Sequence, residues 1–81
     1  MSTAAVLTPE VVAILDTAAS LYALDRRELL YGTNEAPAPE ARSRAMAELR
    51  DRHGWSHRRI GMLFGRDQST VASALRRRPR S

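Results

Sequence analysis

Residues 56–78 read SHRRIGMLFGRDQSTVASALRRR. Two short helical patterns lie in that run, separated by Gly65-Arg66. Ser56 is a good N-cap for the first, and Ile60, Leu63 and Phe64 recur at helical spacing before Gly65 stops it. Trp55 and Ile60 stand at the staple positions that fix how the chain enters this helix. Asp67 caps the second pattern, in which Val71, Ala74 and Leu75 point inward, and Pro79 marks its end. Gly61 sits in mid-helix at a cost of about 1 kcal/mol relative to alanine, which predicts that another backbone passes close by. Two short amphipathic helices joined by a glycine turn are the sequence shape of a helix-turn-helix. Such a unit presents the N-terminal residues of its second helix to base edges in the major groove.

Working outward, the rest of the chain supplies three more helices and no strand pattern. Thr8-Pro9-Glu10 combines a cap, a proline at the first helical position and an acid near the positive end of the dipole. Val11, Ile14, Leu15, Ala18, Leu21 and Tyr22 follow as one expected buried stripe. Asp25 and Glu28 form a capping-box variant that opens a short helix through Leu29, Leu30 and Tyr31, ended by Gly32. Residues 32–39, GTNEAPAP, read as a loop because of their glycine and two prolines. A third helix is expected from about Glu40 to His53, with Ala41, Ala45, Met46 and Leu49 inward and Gly54 as its stop. The expected fold is all-α: a compact five-helix domain over residues 8–78, a flexible N-terminus at 1–7 and a basic tail at 79–81.

Charge is distributed unevenly. All thirteen basic residues are arginine. Residues 1–41 hold two arginines against six carboxylates, net −4, whereas residues 42–81 hold eleven against three, net +8. A genome rich in G·C would explain arginine in place of lysine but not this segregation, which points to a polyanionic partner for the C-terminal half. The chain has no cysteine, so disulfides and thiolate zinc sites are excluded. The start MSTAAVLTPE lacks the pattern of a signal peptide, and no apolar run is long enough to span a membrane. A cytoplasmic, nucleoid-associated protein is expected, with no cofactor, membrane or small-molecule substrate.

On the last helix, Ser69, Ser73 and Arg76 lie opposite the Val71–Leu75 stripe, with Gln68 and Thr70 flanking. Gln68 can pair bidentately with adenine, Asp67 can accept from cytosine, and Ser69 or Thr70 can reach base or phosphate. The candidate base-contacting set is therefore Asp67, Gln68, Ser69, Thr70 and Ser73. Capping alone would account for Asp67, and small polar residues are common in a first helical turn. Gln68 has no core or capping task. Arg42, Arg44, Arg58, Arg59, Arg66, Arg76 and Arg77 are the candidate phosphate contacts, against the plainer reading of solvated surface charge. His53 and His57 are not a metal pair, since Gly54 interrupts the helix between them and no third ligand is near. Trp55 reads as a staple rather than a base-stacking platform. No nucleophile stands beside a base, so catalysis is not expected.

These residues also carry a family resemblance. Ala45-Met46-Ala47, Ser56, Ile60-Gly61 and the run Phe64-Gly65-Arg66-Asp67-Gln68-Ser69-Thr70-Val71 resemble the C-terminal DNA-binding domain of the bacterial replication initiator DnaA. That family reads approximately A-M-x-L, I-G-x-x-F-G and G-R-D-H-S/T-T-V at these places. The resemblance extends from about Thr8 to Arg78, in pattern alone over the first third. It implies a helical domain that binds short, asymmetric, A·T-rich boxes, with Asp67, Gln68, Ser69 and Thr70 as major-groove readers. Three departures stand out. Residue 68 is glutamine where the family usually has histidine. The loop Gly32–Pro37 lacks the family's minor-groove arginine. No G-x-x-x-x-G-K-[ST] run occurs, so ATP-driven origin melting is not expected. The sequence therefore suggests a regulator or accessory factor that binds specific double-stranded DNA at initiator-type or promoter sites. The rival expectation is an adaptor for a replication or transcription protein, with a vestigial helix-turn-helix.

Overall fold

The computed structural model describes residues 8–32 and 35–76. Five helices follow one another: α1 (Pro9–Leu21), α2 (Arg26–Tyr31), α3 (Ala38–His53), α4 (His57–Phe64) and α5 (Gln68–Arg76). The described residues contain no strand, as the periodicity predicts. No helix among them is long and apolar enough to cross a membrane.

The capping chemistry works as written in the sequence. The Thr8 hydroxyl accepts from the Val11 amide at 3.3 Å, with Pro9 in the first turn where its missing N–H costs nothing. Asp25 and Glu28 close a full capping box, at 2.8 Å and 3.1 Å in the two directions. α3 begins earlier than expected, at Ala38. Pro39 lies in its first turn, a place where a helix has no N–H bond to lose, so a proline there opens a helix rather than barring one.

α3 is the hub, packing against each of the other four helices. Ala41, Ala45, Met46 and Leu49 are essentially removed from solvent on it, facing Leu15, Leu29, Ile60 and Val71 in one core. The alanines let neighbouring helices approach closely, and the larger side chains fill the space between them. One expected core residue is corrected. Leu21 is 61% exposed, while Ala19 is buried in its stead. Val11, Leu15, Ala18 and Tyr22 keep the inward register, whereas Leu21 lies about 120° round the helix from Leu15.

The α1–α2 connection turns on Ala23, whose φ of 58° is the only positive value at a described non-glycine residue. The α3–α4 corner is pinned by Arg50, which donates to the Trp55 carbonyl at 3.0 Å.

Candidate nucleic-acid interface

α4 and α5 meet through a three-residue turn. The Ser56 hydroxyl accepts from the Arg59 amide at 3.1 Å and starts α4. Gly65 ends it at φ 65°, in the left-handed region that glycine enters without penalty. The chain then doubles back so tightly that the Arg66 amide donates to the Gly61 carbonyl at 2.8 Å. A Cβ on Gly61 would stand 2.4 Å from the Arg66 carbonyl oxygen. This is the close backbone approach that the mid-helix glycine predicted.

Asp67 then caps α5, its Oδ1 accepting from the Thr70 amide at 2.7 Å. Hydrogen bonds from the Thr70 amide and hydroxyl, and from the Ser69 amide, hold this carboxyl below the usual aspartate range. Capping is thus an observed task of Asp67. Gln68, Ser69 and Thr70 are exposed on the first turn of α5, above a buried row of Val71, Ala74 and Leu75. Ser73, one turn on, is half-buried, and its hydroxyl accepts from the Arg76 guanidinium at 3.2 Å. The five candidate readers therefore lie along the first two turns of one helix.

The arginines sort into three groups. Arg58, Arg59 and Arg76 are exposed on α4 and α5, and Arg66 is half-buried in the turn between them. Arg59 lies over the Trp55 ring, 3.9 Å from its centroid. Trp55 itself is buried, with Ile60, in the staple position. Its indole, 6% exposed and overlain by Arg59, offers no open platform to a base.

Arg42 is the first correction to the expected phosphate contacts. It is only 4% exposed, and its Nε and Nη2 donate to the Leu29 and Gly32 carbonyls at 2.7 Å and 2.9 Å. These carbonyls end α2, whose own last turn has no basic residue. Arg42 reaches across from α3 to cap it, where a helix C-terminus favours a cation. Nothing in the sequence spacing announces this, because donor and acceptors are ten and thirteen residues apart. Arg44 is the second. It lines a groove of about 320 Å³ between α1 and α3 with Ile14, Ala18, Leu21 and Ala45. Two residues from Arg42, it faces the opposite side of α3. Arg77, the rest of the tail, residues 1–7 and Thr33-Asn34 of the loop fall outside the described residues. Compared with models of protein families, with curated proteins and with solved structures, the chain matches none.

Proposed function

We propose that this protein binds specific sequences of double-stranded DNA, inserting the N-terminal turns of α5 into the major groove. The observation that carries the reading is the combination on one helix-turn-helix unit of a bare polar edge and flanking cations. Gln68 and Ser69 are exposed without a packing role at the start of α5, and the same unit carries Arg58 and Arg59 exposed on α4, Arg66 half-buried in the turn and Arg76 exposed on α5. A recognition helix needs such an edge to read donors and acceptors, with phosphate contacts on either side to set its register. Gln68 is assigned to a base, Ser69, Thr70 and Ser73 to base or phosphate, and the arginines to the backbone. Asp67 serves first as the cap that aims this turn. The protein acts as a regulator or accessory factor at initiator-type or promoter sites, and does so without catalysis.

The test is selection of bound duplexes from a random pool followed by sequencing. A short enriched motif is expected, and an unenriched pool would contradict sequence reading. One observation favours the adaptor as a second reading. The α1–α3 groove has an apolar floor and an exposed Leu21 at its edge, on the side of α3 away from α5. A vestigial helix-turn-helix would leave duplex binding absent at low salt.

A further inference from the structure

The α1–α3 groove holds about 320 Å³, many times the space one water needs. Its lining is small and apolar at depth, with Ala18 and Ala45 buried and Ile14 half-buried. Ala13, Thr17 and Leu21 stand exposed along α1, and Leu21 leaves 61% of its surface in water. An apolar side chain so placed gains by being covered. The charges in the lining, Arg44, Glu48 and Arg52, all belong to α3. Glu48 and Arg52 are joined at 3.0 Å. The Arg44 Nε is buried with no hydrogen-bond partner. The groove thus combines an apolar hollow with one net positive charge, carried by a guanidinium whose inner N–H is unsatisfied.

We propose that this groove docks an amphipathic helix of another protein, which sets a bulky apolar side chain between α1 and α3 and pairs a carboxylate with Arg44. A groove between two helices takes a third by its apolar stripe. A partner that is apolar alone would bury Arg44 unpaired, which costs more than the contact returns. A basic partner would be repelled, and a duplex phosphate finds no use for an apolar floor. The chain itself offers this chemistry poorly. Residues 1–7 contain no acid. In a second copy, the acids flanking Leu21 are already engaged, Asp16 with Arg26 at 3.6 Å and Asp25 with the Glu28 amide at 2.8 Å. The proposal gives a chemistry to the adaptor reading of this groove. It does not depend on duplex binding, because α5 lies on the other side of α3.

The test uses a displayed library of helical peptides about four turns long. Their stripe varies over Leu, Ile, Met and Phe, and the positions beside it vary over Glu, Gln and Lys. Selected on the full chain, the library should enrich Glu at one position beside the stripe. Selected on Arg44→Glu, it should enrich Lys there instead. An enriched peptide should bind the wild type saturably and shift the amides of Ile14, Thr17, Leu21 and Ala45 in NMR spectra. Its Glu→Gln version should bind about tenfold more weakly, the worth of a charged hydrogen bond. Arg44→Gln should erase that difference between the two peptides, a readout that mere loss of fold would not give. Leu21→Ser, at an exposed site, should weaken both peptides alike. No enrichment, enrichment indifferent to charge, or the same preference on Arg44→Glu overturns the proposal. So does self-association of the chain alone that Leu21→Ser abolishes, which would make a second copy the occupant.

Discussion

Gln68 and Arg59 stand nine residues apart, yet the account gives them opposite kinds of work. Gln68 is exposed on the first turn of α5 with no partner in the core, so its amide is available to a base edge. Gln68→Ala should cost about 1–3 kcal/mol at one base pair and relax discrimination there. Arg59→Ala should weaken all duplexes alike. Binding measured across a panel of single-base variants separates the two, and uniform loss in both mutants would mean the reading helix has been misassigned. Arg44, by contrast, faces the α1–α3 groove, and Arg44→Gln should leave duplex affinity unchanged. Asp67 adds a pH signature. Its carboxyl is held below the usual range by the cap hydrogen bonds. Its contribution to stability is therefore complete above the ordinary aspartate range and lost as pH falls through the depressed value. Asp67→Asn should keep the cap and abolish that acid limb, which thermal melts between neutral and strongly acid pH would reveal.

Among the elements, the α4–turn–α5 unit is the one most completely legible from sequence. Its caps, stop glycine and inward residues are all local signals, and Gly61 even reported a contact with Arg66 five residues on. Gly61→Ala tests that reading. Alanine is the better helix former by about 1 kcal/mol, but its Cβ would meet a backbone carbonyl at 2.4 Å, which cannot swing aside as a side chain can. The outcome should be a destabilisation of about 1–3 kcal/mol in denaturant melts, with displacement of α5 and loss of duplex binding. What was not legible is non-local or depends on small angular drift. Leu21 reads as part of the buried stripe because it is apolar, yet it is 61% exposed and Ala19 is buried instead. Arg42 reads in the sequence as a candidate phosphate contact because the carbonyls it caps belong to another helix. Ala23 carries no turn signature, because an alanine fills the left-handed position (φ 58°) that usually takes glycine after a helix. There the Leu24 amide donates to the Ala19 carbonyl at 2.9 Å and the Ala23 amide to the Ser20 carbonyl at 3.1 Å. Left-handed backbone costs alanine about 1–2 kcal/mol, against roughly 0.4–1 kcal/mol of extra chain entropy for glycine. Ala23→Gly should therefore stabilise modestly.

Across the whole molecule, the acidic and basic halves of the sequence do not form two bodies. α3 packs against all the other helices, so the charge asymmetry becomes an asymmetry of surfaces. α4 and α5 expose Arg58, Arg59 and Arg76, and Glu35, just before α3, is exposed near the start of the hub helix. A narrow A·T minor groove concentrates negative potential and so favours an inserted arginine. Glu35→Arg should therefore raise affinity for A·T-rich duplexes if this loop approaches DNA. No change, in a protein whose α5 variants do lose binding, would show that the loop sits away from the duplex.

Whether α4 and α5 bind DNA is decided by the salt dependence of duplex affinity. Four described arginines of these helices and their turn, Arg58, Arg59, Arg66 and Arg76, are the proposed phosphate contacts. Each neutralised phosphate contributes about −0.9 to the slope of log K against log salt concentration. Fluorescence anisotropy over a salt series should therefore give a slope of roughly −3 to −4. A flat response, or no binding at low salt, would contradict the account.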